Sequence, residues 1–203
     1  MTHEFKGMNT KLIHAGEPRP LIEGAVSLPI FQSSTFEYSG GENEQARYIR
    51  LNNTPNHSAL HEKLAVIEGG EAALVTASGM AAISTALLAV LKPGDRVLVQ
   101  SDLYGGTHSF VSEDLPELGI GVDFIDAEQP ESWKAQVSDQ TKAIYVESIT
   151  NPLMKVCNLE AVVSFAREHN LVSMIDNTFT SPINYRPPQH GFDLSLHSCT
   201  KYL

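Results

Sequence analysis

The final stretch of the chain, "SLHSCTKYL" (Ser195–Leu203), sets Lys201 among small hydroxyl residues at the end of the apolar alternation of Leu194 and Leu196. A lysine is ordinarily a solvated surface charge; in this setting it is either that or a reactive amine. Other residues have types and positions that would suit such an amine. Ser78-Gly79-Met80 is a small turn leading directly into an apolar helical run. There, unpaired backbone N–H groups and the positive end of a helix dipole converge, a cradle for phosphate or carboxylate. The same residues also make an ordinary strand-to-helix turn. Tyr104, beside Gly105-Gly106, is a core residue or a stacking platform. Asp176 closes the apolar run "LVSMI"; a carboxylate so placed needs a partner such as a protonated ring nitrogen, or else serves as a cap. Ser198 and Thr200 supply hydroxyls on the path to Lys201. As an ordered set, these residues match the needs of pyridoxal 5′-phosphate: an amine for its aldehyde, an acid for its pyridine nitrogen, a cup for its phosphate and an aromatic face.

The elements that must position these groups follow from hydrophobic period. "HSALHEKLAVIEGG" (57–70) puts Leu60, Leu64 and Ile67 on one helical face and stops at Gly69-Gly70. Strands are expected at 72–76 (AALVT), 96–100 (RVLVQ), 122–126 (VDFID), 142–148 (KAIYVES) and 171–177 (LVSMIDN). Between them fall helices over 81–91, after the Tyr104-Gly105-Gly106-Thr107 turn, around 131–137 and over 159–170. This alternation implies an α/β fold with a largely parallel sheet covered on both faces. Ligands of such sheets sit beyond the carboxyl ends of the strands. That rule selects 76–80, 101–107, 147–151, 176–178 and 198–201, where the candidate residues lie. The first 56 residues read differently: Pro, Gly and Ser recur at short intervals and neither period is sustained, as in an extended arm. Its apolar residues Leu28, Ile30, Phe31, Phe36 and Tyr38 suit a segment laid on a partner surface.

Composition narrows the class. The chain has 203 residues, 42% hydrophobic and 19% charged, ordinary for a globular protein with a sizeable core. Its net charge of −10 argues against nucleic acid or an anionic membrane as the main partner. Two cysteines, Cys157 and Cys199, give no disulfide framework and suit a reducing cytoplasm. No secretory h-region opens the chain, and the most apolar helical run is too short to span a bilayer. A dinucleotide fold would need G-x-G-x-x-G after its first strand, and a serine hydrolase G-x-S-x-G; neither occurs. His57 and His61, at i and i+4 beside Glu62, only faintly resemble a zinc helix and read as solvated. Cys199 reads as a packed small residue rather than a nucleophile.

"DNTFTSPINYRPPQHGFDLSLHSCTKYL" resembles the pyridoxal-phosphate signature of the cysteine/methionine metabolism family, which includes cystathionine γ-synthase, cystathionine γ- and β-lyase, methionine γ-lyase and O-acetylhomoserine sulfhydrylase. "TKLIHAG", "PIFQSSTF", "YIRLNNTPNHSALHEKLAVIEGG", "SGMAAI", "YGGT" and "ESITNPLMKV" are similar to the same family and stand in its order, from about Thr10 to Leu203. The resemblance implies the large domain of fold type I, the aspartate-aminotransferase-like fold. It would be incomplete here over 57–203, preceded by an arm (1–56) that contacts a neighbouring subunit and lacking the C-terminal domain. Lys201 then matches the lysine that carries the cofactor, Asp176 the partner of the pyridinium nitrogen and Tyr104 the stacking tyrosine. Ser78, Gly79, Met80, Ser198 and Thr200 match the phosphate cup, Gly79 and Met80 through their backbone. Tyr48 and Arg50 match a pair reaching the phosphate of a neighbouring subunit, and Asn151 an asparagine near the ring and the substrate carboxylate.

The implied activity is β- or γ-elimination or γ-replacement on sulfur amino acids or activated homoserine, of the cystathionine γ-synthase or γ-lyase type. A homodimer or homotetramer with shared sites goes with it. Two departures stand out: Gly106 where methionine γ-lyases usually carry cysteine, and "LNNTPN" for a commoner "NPT" arrangement. The expected lack of a C-terminal domain implies that these 203 residues alone are inactive. The alternative is a silent chain with only a folding or assembly role.

Overall fold

A computed structural model describes residues 5–38, 40–41 and 46–203; the parts of the expected arm at 1–4, 39 and 42–45 lie outside the described residues. The chain divides into two compact units, Met1–Val75 and Thr76–Leu203.

In the first unit a short helix, α1 (Met8–His14), packs against α2 (Pro55–Glu68). Gly16 makes that approach possible. Its φ is +76°, and a Cβ there would stand 2.1 Å from the Ala59 carbonyl oxygen. Pro55 opens α2, where a missing N–H costs nothing, and Gly69 closes it in the left-handed conformation at φ 73°. Ile67 is buried as its period predicts, but Leu60, expected on the same face, is 43% exposed. Elsewhere the unit has little regular structure. Phe31 is pinned through both its N–H (3.1 Å) and its carbonyl (2.8 Å) by the Asn56 side chain, and one antiparallel bridge joins Thr35 to Tyr48. Of the arm's apolar residues, Ile30 and Tyr38 are exposed.

The stretch 72–76 is not a strand. Its apolar residues satisfy the strand pattern, yet they pair with no neighbour. The Val75 carbonyl accepts instead from the Asn52 side chain at 2.7 Å, and Leu74 is largely exposed. A ladder needs a partner strand as well as a suitable sequence.

The second unit carries the sheet. Helix α3 (Gly79–Val90) begins at Ser78, whose Oγ accepts from the Ala81 N–H at 3.0 Å. Strands β1 (Arg96–Gln100), β2 (Gly121–Ile125), β3 (Thr141–Glu147), β4 (Val172–Asp176) and β5 (Leu194–Leu196) form one parallel sheet in the order β2-β1-β3-β4-β5. Helix α4 (Gly105–Ser109) follows β1 and runs on through a π turn, Phe110–Asp114; helix α5 (Leu159–His169) precedes β4. Strand residues alternate between two buried faces, as the period of two dictates. Val97, Val99, Ala143, Tyr145 and Met174 pack with Ile83 and Leu87 of α3. Leu98, Ile144, Val146 and Ile175 pack with Val162, Val163 and Ala166 of α5 and with Trp133. The α/β class and the parallel sheet are those expected. The order reverses between β1 and β3, so the loops after these two strands lead away in opposite directions and leave a crevice. Among the described residues, no helix is long and apolar enough to cross a membrane.

Candidate active site

At the end of β5 the chain turns through Ser198–Lys201. The Lys201 ammonium donates to Ser198 Oγ at 2.9 Å and to Thr200 Oγ1 at 3.0 Å, and these two hydroxyls lie 3.1 Å apart. The turn is fixed by the end of β4, because Thr178 Oγ1 accepts the Ser198 N–H at 2.8 Å. The start of α3 abuts it: a Cβ on Gly79 would come within 2.7 Å of Ser198 Cβ. Only glycine allows the first turn of that helix so close to the serine. Ser78 caps the Ala81 N–H, while Gly79 and Met80, in the first turn, have no intrahelical acceptor for theirs. The structure thus brings together Ser78, Gly79, Met80, Ser198, Thr200 and Lys201.

Asp176 ends β4, half-buried, and one of its oxygens accepts the Thr178 N–H at 2.9 Å. Among the described residues the other accepts no hydrogen bond. Tyr104 stands on the loop after β1, just before α4, and is 46% exposed. Its ring lies over Gly106, where a Cβ would come 2.8 Å from the ring and 3.1 Å from Met80 Sδ. The missing side chain at 106 therefore lets the aromatic face settle beside the start of α3. Asn151 lies on the loop after β3.

Glu147 carries a role that pattern reading did not assign. It is the last residue of β3 and 3% exposed. Its Oε1 accepts the Tyr104 N–H at 2.7 Å and its Oε2 the Asn151 N–H at 3.2 Å. Burial pushes the Glu147 carboxyl up to about 7; the charge of Asp176, its register partner, adds to this, while the Tyr104 and Asn151 amides oppose it. The residue opens the quoted "ESITNPLMKV", but its two partners lie on different loops, and no periodicity signals that meeting.

Tyr48 and Arg50 belong to the other unit, where the guanidinium carbon sits 4.7 Å from the Tyr48 ring centroid. Lys155 is the second lysine near a strand end, and its environment is different. Its ammonium lies 2.9 Å from Asp102 and 3.0 Å from Glu128, which hold its pKa well above the usual lysine range. These residues border a cavity of about 240 Å³ beyond β1 and β2, whose lysine is already neutralised. Cys157 borders it too, its thiol pushed up to about 12 by burial. Cys199 is exposed, not packed as expected. Thr54 Oγ1 holds His57 Nδ1 at 2.7 Å, and among the described residues no group of His, Cys, Asp or Glu could hold a metal ion.

Pyridoxal 5′-phosphate fits this donor set. The uncharged hydroxyls and the glycine cradle at the start of α3 suit its phosphate, Lys201 its aldehyde, Asp176 its ring nitrogen and Tyr104 its ring face.

Comparison with known proteins supports the cofactor. A cystathionine beta-lyase of Lactococcus lactis subsp. cremoris is 40% identical over 197 residues, covering 97% of this chain and 51% of that protein. A cystathionine gamma-synthase/O-acetylhomoserine (thiol)-lyase of Bacillus subtilis is 36% identical over 97% of this chain and 52% of its own. The metY protein of Campylobacter jejuni, solved with N′-pyridoxyl-lysine-5′-monophosphate, superposes with a TM-score of 0.91 at 30% identity, over 98% of this chain and 51% of that one. The chain spans about half the length of the curated relatives it matches. Its α/β fold is that of the fold type I pyridoxal-phosphate enzymes. Residues 9–203 match the family model of the Cys/Met metabolism PLP-dependent enzymes, and the chain belongs to that family.

Proposed function

We propose that this chain forms the cofactor-binding part of a trans-sulfuration enzyme, of the cystathionine γ-synthase or γ-lyase type. Its substrates would be sulfur amino acids or activated homoserine, and its reaction elimination or replacement at the β- or γ-carbon. The observation that carries the reading is the Lys201 amine, held by two uncharged hydroxyls beside the glycine cradle of α3. When bound, pyridoxal 5′-phosphate supplies an aldehyde that captures an amine and a ring that accepts an electron pair.

The residues of the chain would do the rest. Gly79, Met80, Ser198 and Thr200 donate to phosphate. Asp176, through the oxygen that Thr178 leaves free, holds a proton on a ring nitrogen. Tyr104 covers one face and excludes water from it. Lys201 Nζ, on a flexible four-carbon stem, removes a proton from one carbon and delivers it to another, as β- and γ-chemistry both require. We further propose that Tyr48 and Arg50 serve the phosphate in a second copy of the chain, in a homodimer or homotetramer. Arg50 makes no ion pair among the described residues, and a guanidinium suits bidentate phosphate binding. Two free cysteines suit a cytoplasmic setting.

The test uses the protein expressed from its natural gene. It should be yellow, borohydride should fix the label on the Lys201 peptide, and ketoacid should be released from cystathionine or O-activated homoserine. Label on Lys155, or no turnover of these substrates or of methionine, would overturn the proposal.

A further inference from the structure

We infer that Glu147 is a positioning residue of this site, holding the loops after β1 and β3 so that Tyr104 and Asn151 face the cofactor. The inference rests on the reading of the site given above. Both carboxylate oxygens are spent on backbone N–H groups, one at Tyr104 and one at Asn151. These two residues lie on opposite sides of the crevice where the strand order reverses. The clamp has a rigid base, because the Glu147 N–H donates to the buried Gln100 side chain at 2.9 Å, tying the ends of β1 and β3 together.

A glutamine of the same shape has one acceptor oxygen and could hold only one of the two amides. An apolar residue would fill the space and hold neither. Among the described residues no lysine or arginine pairs with Glu147, so the carboxyl is not there to complete a salt bridge. Among the described residues its side chain accepts hydrogen bonds from the two loops alone. Tyr104 has few other restraints: its side chain is half exposed and rests on a glycine. Its ring direction therefore depends on where its backbone is tied.

Glu147→Leu keeps the volume and removes both acceptors; Glu147→Gln removes one. Ser173→Ala, which breaks a buried side-chain bond to Asp193 (2.7 Å) elsewhere in the same sheet, controls for general loosening. In the apoprotein expressed from its natural gene, amide exchange at Tyr104 and Asn151 should be faster by about tenfold or more in Glu147→Leu. In Glu147→Gln it should be faster at one of the two. With pyridoxal 5′-phosphate added, the dissociation constant should rise about fivefold or more in Glu147→Leu. The visible circular dichroism per bound cofactor should fall, because the ring loses its fixed asymmetric neighbour. Ser173→Ala should leave all three readouts unchanged.

Unchanged exchange at both amides would overturn the clamp. Faster exchange with unchanged affinity and ellipticity would overturn its role in positioning, as would equal losses in Ser173→Ala. If the parent protein binds no pyridoxal 5′-phosphate, the reading of the site falls and the inference with it, whatever the exchange data show.

Discussion

Replacing Glu147 by glutamine should change how stability depends on pH. The carboxyl is raised from 4.5 to about 7 in the folded chain, first by burial and then by Asp176. The folded state then holds a proton that the unfolded state releases, so this group's contribution to stability is fully present below about 4.5. It is lost as pH rises towards 7. At about 1.4 kcal/mol per pKa unit the whole loss is on the order of 3 kcal/mol. Roughly 2 kcal/mol of it falls between about pH 5.5 and 8. Glutamine mimics the protonated form and has nothing to titrate. Urea unfolding of the apoprotein at several pH values, parent against Glu147→Gln, isolates the difference, because every other titrating group is common to both. The parent should lose about 2 kcal/mol relative to the variant across that range. A difference that stays flat within about 0.5 kcal/mol would mean that the buried carboxyl does not hold its proton, and that water or relaxation relieves the burial.

Three other substitutions test the site. Gly79→Ala places a Cβ 2.7 Å from Ser198 Cβ, so α3 must withdraw from the Lys201 turn; affinity for pyridoxal 5′-phosphate should fall about tenfold or more, and an unchanged titration would refute the cradle. Asp176→Asn should keep cofactor binding but lose about a hundredfold or more in turnover, about 2.7 kcal/mol of transition-state stabilisation; near-normal turnover would assign the ring nitrogen to another residue. Arg50→Ala and Lys201→Ala chains, each inactive, should recover part of the activity when mixed, since one site of a hybrid then has both groups; hybrids that form but stay inactive would refute a shared site.

The sheet was legible because a strand buried on both faces leaves an unbroken apolar run, as at Val97–Val99 and Ala143–Val146, closed by polar residues where the ligand end begins. The start of α3 was legible from the glycine-containing turn at Ser78-Gly79-Met80 before a run of Ala and Leu, but the Ser78 cap was not read there. The stretch 72–76 misled because a strand is a property of two segments, and only one of them was read. Leu60 misled because helical period marks a face without saying whether anything covers it. The roles proposed for Tyr48, Arg50 and Asn151 came from resemblance alone. Glu147 was visible as a residue and silent as a role: its partners are 43 and 4 positions away, and backbone amides carry no sequence mark.

The location of the site follows from the sheet. Residues beyond the carboxyl ends of parallel strands inherit their positions from the ladder, so Asp176, Glu147 and the Ser198–Lys201 turn are fixed to one another by register. Glu147 pairs with Asp176, and Asp176 with Leu196, two residues before Ser198. On the proposed assignment, a ring that meets an acid on one strand and an amine beyond the next needs such fixed spacing, because misplacing either sacrifices the gain from orientation. Tyr104 and Gly79 come from outside that register. Each is brought in by a close contact that depends on a residue without a side chain, Gly106 under the tyrosine ring and Gly79 against Ser198. The ladder therefore sets the acid–amine geometry, and the two glycines set how closely the aromatic face and the helix start approach it. Substitutions in the ladder should cost stability first, whereas substitutions at these glycines should cost cofactor affinity first.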